Sequence, residues 1–356
     1  MDAAAAARVM RAAAERAMAY PYKVWGFGED VCLRALLEVG RATGDARPRE
    51  FVAGLVRPWC EARTAPGSPD PLPYADHVAP GVVVLELYEA SGDAVYLEAA
   101  LRLGELHLSF PAASGVRVHR PDLPGLSDLI WVDCLALDGP FLARLANVTG
   151  DGRWRALAIE TTLAYAHTLL DEDEGLFRHG YDTRRRERSE CCWARGNGWA
   201  MHGLLDTIVE LPDAHPGRGV LGALLERQLR TVASLQHPSG HWHTVLDDPS
   251  TPLESSAAAF YASAALKARR HGLLGSVPGL DAMVEAAVGA LLAVVDPAEG
   301  RGEPGALPVS HATPVGGRDT YANAPVGVFP WGQGPLLLTL LEVTAAARGR
   351  PGGVAA

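Results

Sequence analysis

The chain has almost no lysine: of its 32 basic residues only Lys23 and Lys267 are lysines, so arginine carries nearly all the positive charge. Against 42 acidic residues this leaves a formal net charge of −10. A phosphate polymer would be repelled over most of such a surface, so nucleic acid is not an expected partner. Long apolar runs are missing. No stretch reaches the ~18 residues that span a bilayer, and no membrane partner is expected. The N-terminal MDAAAAARVMRAAAERAMAY carries Arg8, Arg11, Glu15 and Arg16 within a helical pattern. It lacks the unbroken apolar core and cleavage site of a secretory leader. Cysteine is scarce, with five in all and two of them adjacent, Cys191 and Cys192. That is a poor disulfide framework, and a reducing, cytoplasmic compartment is the simplest expectation. Nucleotide-binding P-loop and GxGxxG patterns, the GxSxG elbow and CxxC pairs are absent. His241-Trp242-His243 has no nearby third ligand, which is poor zinc evidence. Neither a metal nor a cofactor is expected.

Persistent strand alternation is lacking too; what is present is helix, in repeats. Thr43-Gly44-Asp45, Ser91-Gly92-Asp93 and Thr149-Gly150-Asp151 each offer a glycine to end one helix and an aspartate to cap the next. A second series, Gly115, Gly175, Gly240 and Gly305, recurs every 60 to 65 residues at the start of longer connections. Between these marks two kinds of helix alternate. Segments 3–18, 47–60, 94–109, 153–170, 219–236 and 278–295 have one charged face. Segments 29–40, 80–90, 131–146, 197–210, 254–268 and 333–347 are apolar or small almost all round, as in VVVLELY and SSAAAFYASAAL. A helix apolar on all sides is buried on all sides. Six exposed helices alternating with six buried ones predict an all-α fold, an (α/α)6 barrel, as one domain over 1–356. The long loops, 61–79, 110–130, 171–196, 237–253 and 296–332, each lead from an outer helix to an inner one and share one end of the barrel. The inner helices then aim their N-termini, where a carboxylate is favoured, at the floor of a cup.

Asp133, in Asp128-Leu129-Ile130-Trp131-Val132-Asp133, opens an inner helix. It reads either as a helix-start carboxylate on the dipole or as a general acid, since Trp131, Leu135 and Leu137 should desolvate it and favour its protonated form. Asp76, in Asp76-His77-Val78-Ala79-Pro80, takes the equivalent place before the preceding inner helix, as an N-cap or as a second acid sharing the cup. Trp193-Ala194-Arg195-Gly196-Asn197-Gly198-Trp199 is the strongest local signal. Trp faces stack on sugars, Arg pairs with carboxylates, and the glycines allow a ligand close; the alternative is a structural Arg–Trp stack. His179 lies on the loop leading there. Glu254 reads as a helix cap at least as well as a catalytic acid. Trp331-Gly332-Gln333-Gly334 reads equally as packing or as substrate wall. Arg184, Arg185, Arg186 and Arg188 form a basic run, read as a solvated loop.

Taken together, these motifs resemble the unsaturated glucuronyl and rhamnogalacturonyl hydrolases of glycoside hydrolase families 88 and 105, over about Trp25 to Leu340. Trp131-Val132-Asp133 with Gly139-Pro140-Phe141, Gly175-Leu176-Phe177 with His179, the Trp193–Trp199 segment, Leu253-Glu254-Ser255-Ser256 and Trp331-Gly332-Gln333-Gly334 carry it in order. The resemblance implies removal of a terminal 4,5-unsaturated uronic acid from a small anionic oligosaccharide made by a lyase. Asp133 would protonate C4 of the vinyl ether and then activate water for C5, with Asp76 in support. His77, Trp131, His179, Arg195, Trp199 and Trp331 would bind substrate. Gly115-Val116-Arg117-Val118-His119 and Ala136-Leu137 depart from the family pattern, so the walls that choose the sugar are expected to differ. Rival readings on the same barrel are a sugar epimerase, which would want paired histidines in the cup, and a non-catalytic carbohydrate-binding relative.

Overall fold

Thirteen helices are found among residues 3–64, 76–296 and 303–348, which the computed structural model describes. In chain order they are α1 (Ala3–Met18), α2 (Phe27–Thr43), α3 (Arg47–Thr64), α4 (Gly81–Ser91), α5 (Ala94–Ser109), α6 (Leu135–Thr149), α7 (Gly152–Leu169), α8 (Ala194–Glu210), α9 (Gly217–Ser234), α10 (Ser255–Arg270), α11 (Leu280–Val295), α12 (Arg318–Ala322) and α13 (Pro330–Arg348). Helix α2 packs on α4, α4 on α6, α6 on α8, α8 on α10, α10 on α13 and α13 back on α2. This closes the inner ring. The outer helices α1, α3, α5, α7, α9 and α11 cover it, and the architecture is the (α/α)6 barrel. Most of the expected loop 61–79, with Tyr74, and part of the loop 296–332 lie outside the described residues. The five-residue α12 sits in that last loop and has no apolar period to announce it.

The repeated tight turn works the same way three times. Gly44, Gly92 and Gly150 sit at φ 73°, 70° and 73°, the left-handed region that favours glycine. The hydroxyls of Thr43, Ser91 and Thr149 donate to the carbonyls of Val39, Leu87 and Leu145 at 2.6–2.7 Å. Asp45, Asp93 and Asp151 then accept from the N–H two residues on. Longer connections use Gly115, Gly175, Gly240 and Gly305, also left-handed. A Cβ on each would meet the next outer helix, at Ala164, Thr231, Ala286 and Ala13 in turn. These glycines let each loop seat on its neighbour and carry the ring round to α1.

The inner helices are not apolar to their ends, as the pattern had suggested. Toward the closed end of the barrel they carry ion pairs, most of them buried. Arg34 and Lys267 lie 2.5 and 2.9 Å from the Asp206 carboxylate, Arg144 3.3 Å from both Glu86 and Glu210, and Arg270 2.7 Å from Glu342. Charges read along the chain look like a surface face; the ring turns them inward, where each needs a partner. At the other end short antiparallel ribbons line the mouth, among them Leu129–Trp131 with Gly180–Asp182 and Trp242–His243 with Leu253–Glu254.

Candidate active site

Six inner-helix N-termini face this mouth, and both aspartates stand there. Asp133 is placed by backbone pairing before its side chain matters. Trp131 lies opposite Gly180 in the ribbon, and the Val132 N–H donates to the His179 carbonyl at 2.9 Å. A 3-10 turn, Val132–Cys134, then feeds α6. Gly180 is required, because a Cβ there would be 2.7 Å from Val315. The result puts His179 Nε2 3.2 Å from Asp133 Oδ2, with the carboxylate 1% exposed. The ring is not aimed along that line. Among the described residues neither Asp133 oxygen nor His179 Nε2 makes a hydrogen bond. Unsatisfied buried polar groups cost on the order of 1–3 kcal/mol each, more for a charge, and catalytic hydrogen bonds are often misaligned until substrate binds.

Asp76 accepts the Phe27 N–H at 3.3 Å at the start of α2. Arg120 Nη1 is 3.7 Å away and His119 Nε2 3.9 Å. Burial pushes its carboxyl up to about 6; the Phe27 N–H, Arg120 and His77 pull it back, and the Asp133 charge adds to the rise. Asp76 thus feels the Asp133 charge across the mouth. Rings form a continuous wall beside them. His119 stacks on Trp131 with centroids 4.2 Å apart and planes 10° from parallel, and His179 sits between Trp131 and Trp193 at 5.5 and 4.5 Å. Burial holds His119 well below the usual histidine range, with His77, Arg120 and His179 adding to this, so it is neutral. His119, Arg120 and Tyr321 were not among the expected site residues. His119 closes the altered Gly115–His119 segment, which is a signal; Tyr321 gives none.

Three expected binding residues are placed differently. Arg195 is buried and spent on protein. Its Nη1 reaches Glu254 Oε1 at 3.3 Å, Ser310 Oγ at 3.1 Å and the Ser310 carbonyl at 2.9 Å, its Nη2 the His311 carbonyl at 2.8 Å, and its guanidinium stacks over Trp193. Trp199 is 2% exposed, edge-on to Phe27 and Phe260, so neither ring face is open to a sugar. The motif's glycines serve the helices rather than a ligand: a Cβ on Gly198 would be 2.6 Å from Phe260, and one on Gly196 3.0 Å from Val132. Asn197 clamps the His179 loop, exchanging bonds of 2.9 Å with the Phe177 N–H and carbonyl. His77 is fully buried, its Nδ1 2.9 and 3.0 Å from the two oxygens of Asp138. Tyr165 donates to Asp138 at 2.8 Å. Although burial pushes up, His77, His107 and Tyr165 hold the Asp138 carboxyl below its usual range. This buried anion was invisible in the sequence, where Asp138 looked like one polar break in an apolar helix.

Trp331 is 9% exposed, bonded through Nε1 to the Ser310 carbonyl at 3.0 Å and stacked on Phe329 at 4.7 Å. Glu254 is a cap, accepting the Ala257 N–H at 3.2 Å, as well as the partner of Arg195. The basic run is held in a hairpin, with Arg184 2.7 Å from Asp128 and the Arg188 Nε donating to the Thr168 carbonyl. Two overlapping sets could hold a metal ion, His77, His119 and Cys134, and His77, His107 and Asp138, with ligand atoms within 4.8 Å. As they stand, His119 Nδ1 lies 3.2 Å from Cys134 Sγ and His77 is committed to Asp138. His241 and His243 belong to neither set; the His243 Nδ1 donates to the Thr251 carbonyl at 2.6 Å.

Comparison with known proteins shows the family to which the chain belongs. The chain is 29% identical to the unsaturated rhamnogalacturonyl hydrolase YesR of Bacillus subtilis over 306 residues, 84% of this chain and 85% of that one. A crystal structure of a possible GH105 member from Salmonella enterica superposes with a TM-score of 0.83 at 23% identity, covering 98% and 95% of the two chains. The unsaturated glucuronyl hydrolase of Bacillus sp. GL1 superposes with a TM-score of 0.69 at 20% identity, covering 91% and 89%. The family model for Glycosyl Hydrolase Family 88 matches residues 2–347, and the chain belongs to that family of glycoside hydrolases.

Proposed function

We propose that this enzyme removes a terminal 4,5-unsaturated uronic acid from a lyase-generated oligosaccharide by hydrating the C4=C5 bond. The observation that carries this reading is the Asp133 carboxyl, buried at an inner-helix N-terminus without a hydrogen bond to the described protein and beside His179. A group so desolvated and so free is suited to pass a proton to a ligand. Asp133 gives its proton to C4, the double bond's electrons form the C4–H bond, and the positive charge at C5 is shared with the ring oxygen. Water adds to C5 and returns a proton to Asp133. The hemiketal opens to a C5 ketone, C1 becomes an aldehyde, and the aglycone leaves with its hydroxyl restored. One water is consumed. Because a single carboxyl serves both steps, the separation rule for paired glycosidase acids does not constrain it. Asp76, held near 6, supports Asp133 as a neighbouring acid that resists carrying a second negative charge.

Trp131 and His119 supply the wall beside the ring, and Arg120, whose Nε and Nη2 are held by Asp122 at 2.7 Å, lies with its Nη1 3.7 Å from Asp76. A rhamnose-linked disaccharide is the first substrate to try, by likeness to the Bacillus subtilis relative. Turnover is read as loss of the conjugated acid's ultraviolet absorbance, with the reaction run in heavy water. Deuterium at C4 of the product is expected. Cleavage without deuterium at C4, or no cleavage of unsaturated uronides on rhamnose, glucose or hexosamine, would overturn the reading. One observation favours the epimerase reading, since His119 and His179 both flank Trp131. His119 Nε2 lies 3.9 Å from Asp76 and His179 Nε2 3.2 Å from Asp133, and a saturated sugar epimerised by the protein would decide for that alternative.

A further inference from the structure

Tyr321 stands on α12, 142 residues from His179, and its hydroxyl oxygen lies 2.9 Å from His179 Nδ1. The same oxygen lies 3.2 Å from the Gly316 nitrogen. A backbone N–H only donates, so the hydroxyl accepts from Gly316. Its own proton has one partner shown in the structure, His179 Nδ1. An imidazole that accepts at Nδ1 carries its proton on Nε2, and Nε2 is the nitrogen 3.2 Å from Asp133. With the opposite tautomer a lone pair would face the carboxylate.

We propose that Tyr321 is a positioning residue that locks His179 in its Nε2–H tautomer and so keeps a hydrogen-bond donor, not a lone pair, on the nitrogen nearest Asp133. Burial raises the Tyr321 phenol and keeps it a donor, although the Gly316 N–H pulls the other way. The ring has little freedom to escape, since Trp131 and Trp193 pack on it and its own carbonyl is tied to Val132. The titratable or charged groups around it are Asp133 and Tyr321 in contact, His119 across Trp131, and Arg195 on the far side of Trp193. The catalytic consequence rests on the proposed reaction. When Asp133 has given up its proton, the Nε2–H already 3.2 Å away stabilises the new carboxylate, which turns to meet it, until water returns the proton.

Nitrogen-15 labelling of histidine in the full chain tests this without substrate, through two-bond proton–nitrogen correlations that distinguish the tautomers. His179→Gln assigns the signal. The wild type is expected to show His179 as Nε2–H, and Tyr321→Phe a mixture or the Nδ1–H form. With an unsaturated uronide, Tyr321→Phe should lower kcat by about tenfold, the worth of one neutral hydrogen bond, leave KM within about twofold and move one limb of the pH profile. A Tyr321 that merely braces the loop would lower thermal stability and leave the tautomer and the pH profile unchanged. That result, or a wild-type Nδ1–H signal, would overturn the proposal. The wild-type spectrum decides by itself if the variant does not fold. Loss of turnover by the wild type would count against the reaction and not against the tautomer.

Discussion

Arg195 Nη1 lies 2.9 Å from the carbonyl oxygen of Ser310, and the same guanidinium reaches His311 and Glu254. An arginine from the start of α8 thus ties the loop before α13 to the cap of α10. Burial lowers its pKa, and Glu254 and Asp133 offset that. Arg195→Ala should leave the Glu254 carboxylate buried and uncompensated, destabilising the fold by about 3–5 kcal/mol. Denaturant unfolding measures it. Arg195→Lys should recover only part, because a single nitrogen lacks the planar fork whose Nη1 and Nη2 reach Ser310 and His311 separately and which stacks on Trp193. Unchanged stability with a raised KM would show that the residue meets substrate instead.

Asp133→Asn should fold and lose turnover by about 10²-fold or more, as for a missing general acid. It should also unfold at an equal or higher temperature than the wild type, since it removes a carboxylate that has no hydrogen-bond partner in the described protein. Thermal unfolding and single-turnover kinetics together check both halves.

Asp76 gives a pH signature with a definite sign. Its folded carboxyl is raised to about 6 from 3.8, so the native state binds the proton more tightly than the unfolded chain. Its contribution to stability is full below pH ~4 and is lost as pH rises through about 6. Asp76→Asn should therefore match the wild type near pH 4 and gain on it above pH 6, by up to about 3 kcal/mol. Asp30, also raised to about 6 by burial, with Glu86 and Asp206 adding and Arg34 opposing, keeps its own share of this dependence in both proteins. Parallel stability curves for variant and wild type would contradict the assignment to Asp76.

At the closed end of the barrel, Asp206→Asn should cost about 3–5 kcal/mol by leaving Arg34 and Lys267 without their shared anion. Burial pushes the Asp206 carboxyl up, but Lys267, Arg34 and His202 hold it far below the usual range. Its stabilisation is present above pH ~4 and falls away as pH drops toward the folded value. Gly198→Ala probes the inner ring itself. A Cβ 2.6 Å from the Phe260 ring forces α8 and α10 apart, for about 1–3 kcal/mol measured by thermal unfolding.

The alternation of charged-face and apolar helices was enough to give the barrel, because burial on every side leaves an inner-ring helix few other places to be. The repeated Gly–Asp turns were readable for a similar local reason: a left-handed glycine and a capping aspartate act within four residues. Placing the long loops at one end then put Asp76 and Asp133 at neighbouring helix starts. What the chain alone did not decide was how each polar side chain is spent. Arg195 reads as a free fork and Trp199 as a free face, until the ring closes and Glu254, 59 residues on, and Ser310, 115 residues on, take the guanidinium, and Phe27 and Phe260 take the indole. His77 reads as a neighbour of a catalytic acid, but Asp138, 61 residues on, takes its ring. Tyr321 has no local pattern at all, and only the fold brings it to His179. Backbone preferences and hydrophobic period act over a turn or two of chain, so sequence carries them. Hydrogen-bond partners for buried charges are chosen by whichever groups the closed barrel sets within about 3 Å, and that is a property of the tertiary structure.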